Sequence, residues 1–382
     1  MKKCMLIALI TIFALVSVGA LCSAQPTYRS KIGVTNTSKK GSLLIYPLVK
    51  VSPEQADGND TIITLSNDYP GLVKIVCQYS VPDGCLCGTL RDFTLTANQS
   101  ISFSAKTGRD LDGQQLPLRA GAPPWPWNGE YTGELRCWAV KGDKWPIAWN
   151  HLSGTATLIE GEGEERRSWQ YSAWRFAVGY DVQHNTIVPD AQGNDTKTIR
   201  LTGSPTTYDA CPSSLIFNHI TQVQDPAIGP YGDNETENKL TLVPCKQDCV
   251  DGGDRTVGVT FDLYDETELS SVVYACIDCT DSASAYYSKS LTTKVDNPSL
   301  FTSREMKGPS GMGIVKNFPF PISDRGCKGL SYGIPVVGVI SNQFSSPTGP
   351  IAGETLTVHG RGQPHVLDSS GGILGEVIMT YK

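Results

Sequence analysis

Along this chain polar and apolar residues alternate with a period of two rather than 3.6. Val73, Ile75, Cys77 and Tyr79 alternate with Lys74, Val76, Gln78 and Ser80. Ile101, Phe103 and Ala105 alternate with Ser100, Ser102 and Ser104, and Val257, Val259, Phe261 and Leu263 with Thr256, Gly258, Thr260 and Asp262. Each pattern predicts a strand with one face buried and one solvated. Turn formers separate such runs, as in Asp57-Gly58-Asn59-Asp60, Gln192-Gly193-Asn194-Asp195 and Asp251-Gly252-Gly253-Asp254. With 38 Gly and 24 Pro in 382 residues, long helices are not expected.

Many short strands with turns between them predict an all-β chain of antiparallel β-sandwich domains, jelly-roll or immunoglobulin-like. The length suits two in tandem. The expected layout is a signal peptide over residues 1–24, a flexible arm over 25–38, a first sandwich over 39–182 and a second over 183–382. The first opens at the run Lys40 to Pro47 and closes near Phe176 to Tyr180. A polar, turn-rich stretch over 181–196 then leads to the next strand-like run, Thr198 to Leu201.

The N-terminus changes the setting. Lys2 and Lys3 precede an apolar run from Met5 to Val18, and Cys22-Ser23-Ala24 supplies the small residues a signal peptidase reads. Cleavage is expected before Gln25, with cleavage after Ala20 as the alternative. Cys22 invites a lipoprotein reading, against which stands Leu21, where a lipobox has a small residue. No later stretch is long and apolar enough for a membrane helix, so none is expected in the mature chain. Without Lys2 and Lys3 the chain holds 30 basic against 38 acidic residues, a net charge of −8, and it has no basic run. That balance argues against nucleic acid as a partner and against polybasic attachment to anionic lipid. The expected location is secreted, extracellular or at the cell surface, with the periplasm as the alternative.

Cysteine usage agrees with export. Beyond Cys4 and Cys22 there are ten: Cys77, Cys85, Cys87, Cys137, Cys211, Cys245, Cys249, Cys276, Cys279 and Cys327. The even number suits disulfides in an oxidising compartment. Four fall in the first half and six in the second, so each half can close its own set. Cys77 with Cys137 is the pairing their strand-like runs favour. Cys85 pairs with Cys87 or with a loop partner, and the connectivity as a whole stays open.

Three segments carry a resemblance: KGSLLIYPLVKV with DTIITLSNDYP (40–51, 60–70), FTLTANQSISFSA (93–105), and WNHLSGTATLI with SWQYSAWRF (149–159, 168–176). With YDACPSSLIFNHI (208–220) they resemble a group of largely uncharacterised exported bacterial proteins. The resemblance implies export and a β-rich fold. It carries no activity, and the cysteine-rich stretch 245–279 does not align with it.

Candidate chemistry is sparse. Cys245, Cys249, Cys276 and Cys279 form two close pairs that suit either tetrahedral zinc or disulfides, and export favours disulfides. Asp57, Asn59 and Asp60, and separately Asp251 and Asp254, place oxygen ligands on Gly-rich turns, as calcium needs; the same residues also make ordinary hairpin turns. No other cofactor is implied. Gly308-Pro309-Ser310-Gly311-Met312-Gly313 fails as a nucleophile elbow at Met312. No catalytic constellation is complete, so an enzyme is not the favoured reading.

All seven tryptophans lie between Trp125 and Trp174. Trp149, Trp169 and Trp174 suit a core. Trp125 and Trp127, braced by Pro124 and Pro126, suit a ligand-facing loop. Trp138 lies on the strand face opposite the inward set Leu135, Cys137 and Ala139, and joins Trp125 and Trp127 as a candidate ligand contact. His151, in Trp149-Asn150-His151-Leu152, is either a polar centre among these rings or a turn and core hydrogen-bonder. The sequence therefore leads to an exported, non-catalytic protein with a structural, adhesive or binding role, acting through self-association or on a surface glycan or protein. The alternatives are a secreted glycan-active enzyme, or a carbohydrate-binding protein using Trp125 and Trp127.

Overall fold

The run from Asp60 to Asn67 buries Thr61, Ile63, Leu65 and Asn67 and leaves Ile62, Thr64 and Ser66 half-exposed, so the period of two becomes a strand with two unlike faces. The computed structural model describes residues 33–52, 58–79, 90–110, 131–161, 166–189, 198–220, 235–248, 257–265, 270–277, 287–290, 310–317, 335–346, 349–357, 359–361 and 378–380. Among them the regular elements are strands, and there is no helix. Hence none of the described residues forms a helix long and apolar enough to cross a membrane.

The first half supplies β1 (Leu43–Val51), β2 (Asp60–Asn67), β3 (Val73–Tyr79), β4 (Arg91–Leu95), β5 (Ser100–Ser104), β6 (Tyr131–Lys141), β7 (Trp145–Pro146), β8 (Leu152–Glu160), β9 (Arg167–Ser172) and β10 (Trp174–Phe176). They form two antiparallel sheets, β10-β1-β6-β3-β4 with β7 beside β6, and β5-β2-β8-β9. Leu44, Tyr46, Ile75, Cys77, Leu135, Cys137 and Ala139 from the first sheet share a core with Ile63, Leu65, Phe103, Ala156, Leu158, Trp169 and Tyr171 from the second. Cys77 and Cys137 are directly opposed in the β3–β6 register and form a disulfide at its centre.

The other face of the first sheet departs from the expected pattern. Val76 and Gln78 were expected on a solvated face, yet they are 0% and 2% exposed. Leu43, Ile45, Val76, Trp138, Val140, Trp174 and Phe176 join Leu215, Phe217, Leu240, Leu242, Phe261, Val337 and Ile340 in a second buried cluster. The second-half members come from two sheets, Glu235–Pro244 and Val336–Ser346 in a four-stranded one and Ser214–Ile220 and Val257–Asp265 in a five-stranded one. Residues on both sides of position 182 thus contribute to one core. Among the described residues, three hydrogen bonds from two side chains span these strands: the Trp174 indole N–H donates to Gly338 O at 2.8 Å, and Arg136 donates to Pro244 O at 2.7 Å and Cys245 O at 2.9 Å.

Arg136 is 1% exposed, as is its partner Glu134. Its Nε and one terminal nitrogen hold the two Glu134 oxygens at 3.1 and 3.0 Å. Every side of this guanidinium is therefore satisfied, which is the condition for burying a charge. A second disulfide, Cys211–Cys245, sits at the same place in the chain as its acceptor. That bond consumes Cys245 and corrects the four-thiolate zinc reading of Cys245, Cys249, Cys276 and Cys279. A cysteine spent on a disulfide supplies no thiolate.

Proline in a central strand removes a ladder donor. β1 contains Pro47, and its pairing with β6 shifts register between Tyr46 and Val49. Leu48 falls in this bulge and is 4% exposed. Its N–H donates to the Tyr171 hydroxyl at 3.1 Å, and that hydroxyl donates to Leu48 O at 2.6 Å. Nearby, the Tyr46 hydroxyl donates to Thr64 O at 3.0 Å over Gly154, where a Cβ would collide with it. Of the expected arm, residues 33–38 are described. They run along the fold through Gly33 N to Gly203 O and Thr35 N to Ala210 O, both 2.9 Å, and the adjacent Lys39 pairs with Asp209.

Two outcomes follow from this packing. Tyr171→Phe strands a buried N–H and C=O of Leu48 and is expected to cost about 1–3 kcal/mol in urea unfolding. Arg136→Leu leaves the Glu134 carboxylate buried beside two vacated carbonyls. It is expected to cost about 3–5 kcal/mol, and Glu134→Leu/Arg136→Leu less than the single change. An Arg136→Leu protein as stable as wild type would show that this pair does not hold the two layers together.

Candidate functional site

At one end of these sheets three chain segments bring aromatic and imidazole rings together. The first is the turn after β2. Asn67 is 1% exposed and acts as its hub. Its amide donates to Gly71 O at 2.8 Å and Thr96 O at 3.0 Å, while its carbonyl accepts from Tyr69 N at 3.2 Å and the Trp149 indole N–H at 3.0 Å. The second is the turn before β8. Trp149 N donates to Ser42 Oγ at 2.7 Å, Ser42 Oγ donates to Asn150 Oδ1 at 2.7 Å, and His151 N donates to Trp149 O at 2.6 Å. The third is the turn carrying His184. Asn185 N donates to Ala148 O at 2.8 Å, Ala148 N donates to Thr186 O at 2.9 Å, and Asn185 takes a φ of 60°, which Asn tolerates better than most residues.

The rings meet closely. Tyr69 lies 4.9 Å from Trp149, 4.7 Å from His151 and 4.3 Å from His184 between centroids. His184 is 4.6 Å from Trp149 and 5.1 Å from His151. Trp149 is the buried floor at 2% exposure, Tyr69 and His151 are half-buried, and His184 is exposed. Asp68 Oδ1 accepts from His151 Nδ1 at 3.0 Å, and Lys40 Nζ lies 3.2 Å from Asp68 Oδ2. Leu72, just past the turn, is among the few exposed large apolar residues at 71%. A groove of about 290 Å³ lined by Lys141, Gly142, Asp143, Trp145 and Ile187 runs along the same third segment.

Burial alone raises the Asp68 carboxyl, but its hydrogen bonds and charge contacts with Lys40 and His151 outweigh this and hold it below its ordinary value. Burial, and then the neighbouring His151, hold His184 below its ordinary value, favouring the neutral ring. Asp68 and His151 thus make an oriented carboxylate–imidazole pair. Among the described residues, no serine, threonine or cysteine hydrogen-bonds the His151 ring.

The residues singled out from the sequence distribute unevenly. His151 lies at the centre of the cluster. Trp138 does face away from Leu135, Cys137 and Ala139, but that face is covered by the second half. At 0% exposure it is core and not a ligand contact. Trp169 and Trp174 are core at 7% and 1%. Asp60 spends its carboxylate on Thr61 N at 2.7 Å, Lys106 N at 3.1 Å and Ser104 Oγ at 2.6 Å. Asn59 accepts Ser52 N through its backbone at 2.8 Å. Trp125, Trp127, Asp57, Asp251, Asp254, Cys85, Cys87, Cys249, Cys279 and Cys327 lie outside the described residues, and Cys276 is placed by its backbone in the strand Ser270–Ile277. Sequence reasoning missed Asp68, Tyr69 and His184. The first two stand in the run SNDYP that ends the strand Asp60–Asn67, and their residue types were the signal they offered.

Comparison with protein-family models gave no match, and comparison with curated proteins gave none either.

The electrostatics give a signed expectation. A histidine whose folded pKa is depressed contributes stability that is present above its unfolded value near 6.5 and is lost as pH falls through the folded value. Asp68 acts in the same direction at lower pH, above about 3.9 unfolded. Wild type is therefore expected to lose more stability than His184→Gln between pH 7 and pH 5 in urea unfolding. Equal losses would remove His184 as a burdened imidazole.

Proposed function

We propose that this is an exported, non-catalytic protein that works by binding or adhesion at the cell surface or outside the cell, with the ring cluster around Trp149 as its contact surface. The observation that carries the reading is the cluster's make-up. An oriented carboxylate–imidazole pair stands among half-exposed rings, and among the described residues no serine, threonine or cysteine hydrogen-bonds its imidazole. We read such a surface as one that recognises. The two disulfides support an oxidising location, secreted or cell-surface, with the periplasm as the alternative. The two sheets of the first half, with the five-stranded sheet that holds Ser214–Ile220 and Val257–Asp265 and the four-stranded sheet that holds Glu235–Pro244 and Val336–Ser346, fit two sandwiches in tandem, over 39–182 and 183–382, with the first sheet's outer face as their junction. The resemblance to exported bacterial β-rich proteins points the same way.

A second reading is favoured by one feature. Tyr69 offers a half-exposed ring with a carboxylate and an imidazole beside it, a combination that suits stacking on a sugar face with hydrogen bonds to its hydroxyls. This adds Tyr69 to Trp125 and Trp127 as a candidate for the carbohydrate hypothesis. An aromatic contact is worth about 0.5–1.5 kcal/mol beyond its burial. Tyr69→Ala is accordingly expected to weaken retention on a panel of immobilised surface polysaccharides by up to about tenfold. Unchanged retention removes the sugar reading. Hydrolysis of an ester or glycoside panel that disappears in His151→Ala would replace binding with catalysis. Adhesion by self-association predicts large species in light scattering, and a monomer at high concentration counts against it.

A further inference from the structure

We infer that His151 and His184 form an open surface site for a divalent first-row transition metal ion, with copper(II) the ion that fits best. This names a ligand class for the ring cluster and rests on the binding reading above.

The first support is geometric. The two imidazoles lie 5.1 Å apart between centroids with their planes 83° apart. Two imidazoles that share one ion through nitrogens at about 2.0–2.1 Å bring their centroids to about 4.5 Å at the right angle of a tetragonal site and about 5 Å at a tetrahedral angle. The pair stands at the separation two ligands of one ion need, in an edge-to-face arrangement.

The second support is the carboxylate. Asp68 Oδ1 lies 3.0 Å from His151 Nδ1 and accepts its proton, and Lys40 holds the other oxygen. In the neutral ring this hydrogen bond places the hydrogen on Nδ1 and leaves the Nε2 lone pair for a ligand. A carboxylate behind a histidine is the arrangement that orients metal-bound imidazoles and raises their basicity.

The third support is placement. His151's side chain is 34% exposed, and His184 is exposed, so an ion reaches both from solvent. Trp149 and Tyr69 brace the rings from below, at 4.6 Å from His184 and 4.7 Å from His151. Among the described residues no group of three or more His, Cys, Asp or Glu is arranged around one point. The site thus has two protein ligands, with the remaining positions left to water or to a partner's donor. Such a site is exchangeable and not structural. Imidazole donors suit copper, nickel and zinc, and the divalent affinity order places copper(II) highest.

The test uses the full mature chain with its disulfides intact and any histidine tag removed. Copper(II) is titrated at pH 7.5 while tryptophan emission is followed, since an ion on His184 lies against Trp149. Saturable quenching at one equivalent is expected, reversed by zinc(II) in excess. His151→Ala and His184→Ala are each expected to abolish it, and Asp68→Asn to weaken it by about 10- to 100-fold. Substoichiometric copper(II) followed by proton NMR of wild type needs no variant. The ring protons of His151 and His184 should broaden before those of His219, His359 and His365. The proposal is overturned by the absence of saturable binding, by quenching that persists in the double alanine variant, or by other histidines broadening first. Retention on a polysaccharide without copper binding would remove the metal and keep the binding role. A measured turnover would remove the binding role and leave the copper result to stand alone.

Discussion

The structure depends on one sheet being buried on both faces. β1, β3 and β6 lie in the middle of the chain's layers, with one apolar cluster on each side. A strand with no solvated face must satisfy every polar group it carries without water. The Glu134–Arg136 pair meets that demand by turning a charged patch inward and closing it with two backbone carbonyls from the strand that ends at Pro244 and from Cys245. The Leu48 bulge meets it through a single hydroxyl, Tyr171. These are local solutions to the same constraint, and each ties β1 or β6 to a different neighbouring layer. The two disulfides add covalent ties at the same level, one within the sheet and one in the layer above it.

This constraint decides what the sequence reveals and what it hides. Alternation predicts a solvated face when the intervening residues are polar, and β2 and β8 obey. In β3 and β6 the intervening residues are Lys74, Gln78, Glu134 and Arg136, which read as solvent-facing by composition. Gln78, Glu134 and Arg136 are buried all the same, because the layer that covers them lies more than a hundred residues downstream. A period of two reports which residues share a face. It does not report what meets that face, so Trp138 was placed on the correct side of its strand and given the wrong environment. Strand type and the disulfide potential were legible because they are local or compositional. The layer order was not, because it is a long-range fact.

The candidate site shows the same division. His151 stood out as a rare histidine among tryptophans, and its residue type alone was a signal. Its partners come from three separate turns, at Asp68 and Tyr69, at Trp149 to His151, and at His184. The chain offers no short spacing between them, and only the fold converts their separation of tens of residues into ring contacts of 4 to 6 Å. Of the described tryptophans, Trp138, Trp169 and Trp174 are core and Trp149 is the floor that holds the histidines and tyrosine in place.

A surface cluster of this kind is useful only if it is rigid, since a ligand would otherwise have to supply the ordering entropy of each side chain. Here the order is set before any ligand arrives. Trp149 is fixed by Ser42 on its backbone and Asn67 on its indole, so the floor is tied at once to the start of β1 and the end of β2. Asn67 then sets Tyr69 through its backbone, and Asp68 sets His151. The third turn docks by backbone hydrogen bonds to Ala148, directly before the floor residue. All three segments therefore refer to a single buried indole, which is itself anchored between the two sheets of the first half. The preorganisation of the exposed rings thus descends from the same demand that shapes the core: a buried polar atom must have its partner, and the partner's position is inherited by whatever the chain places next to it on the surface.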